Sequence, residues 1–138
     1  MATAIIYWSG TGNTEAMAQA IEAGMKGAGA EVALFDVEKF DVGSIDSYDK
    51  LALGCPSMGA EVLEETIFEP FFVSIESKLS GKKVALFGSY GWGDGEWMRD
   101  WQERTKKLGA NLFEEGFMQN EAPDEDVCKE FGTRLAAF

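Results

Sequence analysis

The sequence predicts an α/β fold: a doubly wound parallel sheet in three layers, with five strands between two layers of helices. Three observations carry this. Short apolar runs alternate with segments of helical periodicity along the whole chain, as repeated strand–helix–strand units require. The runs are apolar at successive rather than alternate positions, the mark of strands buried on both faces. No linker, repeat or low-complexity stretch interrupts the alternation, so the 138 residues read as one domain, 1–138. A chain of this length buries roughly 70% of the surface it exposes when unfolded, enough for a core without disulfide or metal.

The elements follow in order. Ala4–Trp8 is the first strand, and it stops at Ser9-Gly10-Thr11-Gly12-Asn13-Thr14. A helix follows with Met17, Ile21 and Met25 on one face, and Gly27 and Gly29 end it. Glu31–Val37 is the second strand and Lys50–Gly54 the third. Ile67, Phe68, Phe71, Phe72, Ile75 and Leu79 recur at helical spacing, with Pro70 tolerated near the first turn. Val84–Phe87 is the fourth strand. Glu96–Leu108 is helical; its Trp97 and Trp101 share one side and read as helix–sheet core. Ala110–Met118 is the fifth strand, and Pro123-Asp124 introduces a last helix carrying Val127, Cys128, Phe131 and Leu135.

Composition excludes several classes of chemistry. Asp and Glu number 24 against 12 Lys and Arg, a net charge of −12. Such a chain repels phosphate backbones and anionic membranes, so nucleic acid and membrane surfaces are not its partners, and a basic protein surface is. There is no histidine, which removes Ser-His-Asp and Cys-His catalysis and His-ligated zinc. Cys55 and Cys128 are far apart and form no CxxC, which suits packing residues in a reducing compartment. No apolar run approaches the ~18 residues of a membrane span and no signal peptide precedes the first strand, so the expected location is cytoplasmic.

In a doubly wound sheet, ligands bind beyond the carboxyl ends of the strands. The loops there are the oddest in the chain. Ser9-Gly10-Thr11-Gly12-Asn13-Thr14 offers hydroxyl and amide donors and two glycines, and it opens into a helix N-terminus, which favours anions. The plainer reading makes it a tight turn with Thr14 as the helix cap. A Walker loop is excluded because no lysine occurs before Lys26, and a dinucleotide fingerprint because Glu15 stands where its third glycine belongs. What remains is a single terminal phosphate held by uncharged donors.

The second loop, Cys55-Pro56-Ser57-Met58-Gly59-Ala60-Glu61, and the third, Gly88-Ser89-Tyr90-Gly91-Trp92-Gly93-Asp94-Gly95, suit a flat aromatic ring. Trp92 is flanked by glycines that cannot pack it, and an indole left in water favours a stacking partner. Met58 is flexible and polarizable enough to cover the opposite face. Glu61 can accept from a ring N–H. The alternative is that Trp92 packs on its own domain and Met58 in the core.

These residues resemble the flavodoxins, short-chain type, of clostridia and related anaerobes. The likeness runs along almost the whole chain and is strongest in Tyr7–Thr14, in Met58-Gly59 with Glu61, and in Ala85–Gly95. The resemblance implies a strand order of 2-1-3-4-5 and a tightly but non-covalently bound FMN. It implies a low-potential one-electron carrier between redox enzymes, working between semiquinone and hydroquinone, and not an enzyme with a substrate of its own. Carried over by position, Ser9, Gly10, Thr11, Gly12, Asn13 and Thr14 hold the phosphate. Met58, within Ser57-Met58-Gly59-Ala60-Glu61, covers the inner ring face and Trp92 the outer. Glu61 accepts from N3–H, and the Gly59 carbonyl turns toward N5–H. Ser89, Tyr90, Gly91, Gly93, Asn120 and Glu121 lie near the ribityl chain, pyrimidine edge or phosphate. Partners are then basic-surfaced redox proteins in transient complexes, with the protein a monomer.

Two positions depart from the family pattern. Ala60 stands where relatives often have Asp, and Ala tolerates positive φ less well. In a four-residue Met58–Glu61 turn this disfavours type II, with positive φ at Ala60, and leaves type II′, with positive φ at Gly59. Pro56 replaces a hydroxyl residue of some relatives and loses a phosphate contact. The acids Glu61, Glu64, Glu65, Asp94, Glu96, Glu121 and Asp124 add negative charge near the ring edge, although Glu64 and Glu65 taken singly read as a solvated face. The competing reading is an FMN-dependent NAD(P)H or quinone reductase of the same fold. It needs room for a second substrate where Trp92 stands, and the acidic surroundings repel pyridine nucleotides.

Overall fold

A computed structural model describes residues 2–138. Its strands are β1 (Ala2–Tyr7), β2 (Val32–Asp36), β3 (Tyr48–Gly54), β4 (Lys83–Tyr90), β5 (Asn111–Leu112) and β6 (Phe117–Asn120). Its α-helices are α1 (Asn13–Gly27), α2 (Phe68–Ile75), α3 (Glu96–Lys107) and α4 (Glu125–Ala136). The strands are parallel in the order β2-β1-β3-β4-β5, with β6 also paired to β4. This is the expected doubly wound sheet.

The apolar runs divide between two cores by strand alternation. Ala4 and Ile6 of β1, Leu51 and Leu53 of β3, and Val84 and Leu86 of β4 meet Phe68, Phe72, Trp97 and Trp101 on one face. Ile5, Ala52, Ala85 and Phe87 meet Met17, Ile21, Met25, Phe131 and Leu135 on the other. Trp97 and Trp101 are core residues, as their spacing predicts, and Cys55 and Cys128 are buried free thiols. Small residues let α1 and α4 pack closely. A Cβ on Gly24 would lie 2.1 Å from the Lys129 carbonyl oxygen, and one on Gly132 2.2 Å from that of Ile21.

The fifth strand is not continuous over Ala110–Met118 but is split into β5 and β6. Register explains the split. Lys83 pairs with Asn111 and Phe87 with Phe117, so four steps along β4 correspond to six on its neighbour. Two residues must bulge out, with Glu114 at φ 49 and the Gly116 N–H donating to Gln102 Oε1 at 2.6 Å. Phe113 turns inward onto Phe131 and Phe138. The sheet therefore has six strands rather than five, with the core order unchanged. β4 also runs past Phe87, which carries Ser89 and Tyr90 in the ladder.

At the far end of the sheet, Lys50 and Lys83 are register partners that close the last turn of α4. Lys50 Nζ donates to Leu135 O at 2.8 Å, and Lys83 Nζ donates to Phe138 O at 3.1 Å, both beside the Phe138 ring. Burial, then the neighbouring Lys83 charge, lowers the Lys50 pKa. A Lys50→Met variant keeps the buried stem but removes the charged donor from Ala136 O and from Leu135 O, which keeps only the Phe138 N–H at 3.1 Å. Denaturant unfolding should show a loss of about 1–2 kcal/mol. An unchanged midpoint would show that Lys83 alone secures the helix end.

Candidate functional site

Beyond the carboxyl ends of β1, β3 and β4, three loops enclose a cleft of about 210 Å³. Its walls are Gly10, Thr11 and Asn13 from the first loop; Pro56, Ser57 and Met58 from the second; and Ser89, Tyr90, Gly91 and Glu121 from the β4 and β6 ends. Among the described residues, no lysine or arginine lines it. Nine of these ten were sequence candidates. Pro56 is the tenth; it has no N–H to donate and serves as wall.

The first loop is braced by its own side chains. Gly12 has φ 97 and is the N-cap of α1 without a side-chain cap of its own, so Thr14 is not the cap. Ser9 takes that part: its Oγ accepts from the N–H groups of Gly12 at 3.1 Å and Glu15 at 3.2 Å. The N–H groups of Asn13 and Thr14 have no acceptor among the described residues and stand at the positive end of the helix dipole. Thr14 is buried and outside the cleft lining. Its hydroxyl shares a 2.9 Å hydrogen bond with Ser89 Oγ and accepts from the Ser89 N–H, pinning the loop to β4. Tyr7 donates to Glu15 Oε2 at 3.0 Å, and burial followed by that carboxylate pushes its pKa up to about 12.

The second loop is a short hairpin, closed by reciprocal bonds between Met58 and Val62 at 2.9 and 3.0 Å. The turn thus spans Met58–Val62, one residue more than the four expected. Gly59 takes φ 50, as the type II′ alternative required, and Ala60 is not in the positive region. Glu61 is, at φ 57. The carboxylate of Glu61 is buried. Its Oε1 accepts from the Asp94 N–H at 3.0 Å, and its Oε2 has no partner among the described residues. Gly93 makes room for it: a Cβ there would lie 1.4 Å from Glu61 Oε1. Ser57 N–H donates to Ser89 O, and both Asn120 Nδ2 and Glu121 N–H donate to Tyr90 O, so the loops are tied to the β4 end.

The aromatic and sulfur candidates are free of the core. Trp92 is 66% exposed and Met58 36%, which rules out packing of Trp92 on its own domain and burial of Met58. Glu65 is a solvated acid, but Glu64 is not. Glu64 is buried at the start of α2, where its carboxylate accepts from the N–H groups of Thr66 (2.9 Å), Ile67 (2.7 Å) and Phe68 (2.8 Å) and from the Thr66 hydroxyl. Burial pushes its pKa up, but those four donors outweigh burial and hold it below the ordinary value. Its own N–H points at Cys55 Sγ (3.4 Å), under the second loop. The Cys55 thiol is pushed up by burial and stays protonated.

A helix N-terminus with open N–H groups, a cleft without lysine or arginine and an exposed methionine and tryptophan, all at the edge of a doubly wound sheet, are the features of a nucleotide-cofactor protein. The flavodoxin family model matches residues 5–132. The chain is 53% identical over 133 residues to a flavodoxin of Megasphaera elsdenii, covering 96% of each chain. It is 50% identical over 134 residues to one of Clostridium beijerinckii, covering 96% of this chain and 97% of that one. The solution structure of two-electron reduced Megasphaera elsdenii flavodoxin superposes with a TM-score of 0.92 and covers 99% of both chains. The chain belongs to the flavodoxin family, and it is an FMN-dependent electron carrier rather than an enzyme with its own substrate. No helix among the described residues is long and apolar enough to cross a membrane.

Proposed function

We propose that the cleft is the FMN site of a low-potential one-electron carrier, with the roles of its residues as follows. The open N–H groups of the first loop and the hydroxyls of Ser9 and Thr11, with the Asn13 amide, hold the phosphate. Thr14 keeps that loop on β4 through Ser89. Met58 and Trp92 cover the two ring faces, and Glu61 Oε2 accepts from the N3–H edge. Gly59, at positive φ, presents its peptide to the ring, while Tyr90, Gly91, Asn120 and Glu121 border the ribityl side. When bound, FMN supplies a ring that takes up and releases single electrons. Glu61, buried Glu64 and the first-loop phosphate site, which lacks a cation, keep negative charge near the ring, and this opposes adding more.

The single observation that carries this reading is the pairing of a cation-free cleft with an indole left 66% exposed beside it. A reductase would need that face open for a second substrate. The excess of acids suits brief complexes with basic redox proteins, and a charge of −12 favours a monomer. Buried free thiols suit the cytoplasm. The chain works as a single domain.

Calorimetric titration of apoprotein with FMN tests the assignment, and Trp92→Ala sharpens it. Stacking one indole face removes about 60 Å² of apolar surface from water, so the variant should bind FMN about tenfold more weakly. Its apoprotein should unfold at nearly the same denaturant concentration, because two thirds of Trp92 already lies in water. No heat on mixing wild type with FMN would refute the site. An unchanged dissociation constant in the variant would remove Trp92 from it.

A further inference from the structure

Among the described residues, the hydrogen bonds of the third-loop stretch Gly91–Asp94 all fall on Asp94. Glu61 Oε1 accepts from its N–H at 3.0 Å. Arg99 reaches back from the start of α3: its Nη1 donates to Asp94 O at 2.9 Å and its Nη2 to Asp94 Oδ1 at 3.0 Å. The backbone on either side is permissive, with Gly93 at φ 87 and Gly95 at φ 95, and the Trp92 indole is largely in water. The place of Arg99 needs a reason. A cation at the start of a helix faces the positive end of the dipole, which is unfavourable. An ion pair whose side chains are 57% and 80% exposed adds little stability in return. What a forked guanidinium supplies is geometry, and one of its two bonds here grips the main chain itself.

We propose that Arg99 is a positioning residue for the FMN ring. It pins Asp94 to α3, and Asp94 in turn sets the lie of Trp92 two residues back and of the Glu61 carboxylate that its N–H holds. The same pair balances the Asp94 charge, so that acid adds less negative charge at the ring edge than its position in the sequence suggests. The pinning rests on the three hydrogen bonds; its consequence for the ring rests on the reading that Trp92 and Glu61 border FMN.

The two parts are tested separately. Arg99→Met keeps the stem and drops both donors. In the ¹⁵N-labelled full chain before FMN is added, its Asp94 N–H should exchange with solvent about tenfold faster than in wild type, with the core amide of Leu53 unchanged. An unchanged Asp94 rate overturns the proposal, whether or not FMN binds as assigned. With FMN, Arg99→Met should weaken binding about threefold to tenfold. Removing a cation weakens the binding of any anion, so two comparisons separate position from charge. Arg99→Lys keeps the charge but not the fork, and it should lose nearly as much affinity as Arg99→Met. In a Trp92→Ala background the Arg99→Met loss should shrink to about twofold, because the positioned indole is gone. Full affinity in Arg99→Lys, or equal losses in both backgrounds, would reduce Arg99 to a charge and overturn the positioning role. A wild-type protein that takes up no FMN would refute the functional reading instead, and the exchange result would stand.

Discussion

Gly93→Ala should weaken FMN binding about a hundredfold while leaving the protein folded. Two effects add. A methyl group at Gly93 would lie 1.4 Å from Glu61 Oε1, so the carboxylate must leave the Asp94 N–H that holds it. Glu61 is the flexible end of a side chain, and its retreat costs the fold little. Losing a hydrogen bond to a charged group costs about 1.5–3 kcal/mol of the bound geometry. Gly93 also has φ 87, which an alanine adopts at a cost of about 1–2 kcal/mol. The free loop can relax away from that conformation, whereas the FMN-bound loop cannot, so the strain falls on affinity. Calorimetry with FMN measures the loss, and circular dichroism checks the fold. Glu61→Ala combined with Gly93→Ala separates the causes. Once the carboxylate is absent, adding the methyl group should cost the backbone strain alone, about tenfold. A full hundredfold further loss would mean that the methyl group strikes something other than Glu61.

The sheet was legible because burial on both faces leaves a mark on every residue of a strand. Ile5 and Ile6 point to different cores, yet both must be apolar. The loops were legible by residue type: neutral donors, glycines, and a methionine and tryptophan without packing neighbours. Pairings across the chain were not. Thr14 meets Ser89 and Glu61 meets Asp94 because parallel strands bring their carboxyl ends together, and nothing local to either partner marks it. The split of the fifth strand is a count of register against β4, which one strand cannot reveal, although Glu114-Glu115-Gly116 in its middle was a breaker signal. Glu64 was missed for a different reason. It sits beside Glu65 and looks equally solvated, and what distinguishes it is its distance from the first free N–H groups of α2. An acid just ahead of Thr66-Ile67-Phe68 was a capping signal in the sequence.

Glu64 is where the largest effect on folding is expected. Its buried carboxylate is shared by three backbone N–H groups and one hydroxyl, and the Phe68 N–H among them is itself closed to water. Glu64→Ala leaves those donors unpaired and removes negative charge from a helix N-terminus, a loss of about 3 kcal/mol at neutral pH. Glu64→Gln keeps one acceptor oxygen and should lose about half as much. The pH dependence has a definite sign. Unfolded, the group titrates near its ordinary value of 4.5; folded, it is held lower. The folded protein therefore binds that proton more weakly, and the stabilisation is whole above the ordinary value. It is lost as pH falls through the folded value, where protonation takes acceptor capacity from the donors. Denaturant unfolding of wild type and Glu64→Gln from pH 7 downward should show the gap narrowing in the acid range. A gap independent of pH would mean that the charge contributes nothing and that shape alone holds the start of α2. Because the Glu64 N–H reaches Cys55 beneath the second loop, a frayed α2 start should also loosen that loop, so the alanine variant should bind FMN more weakly as well as unfold sooner.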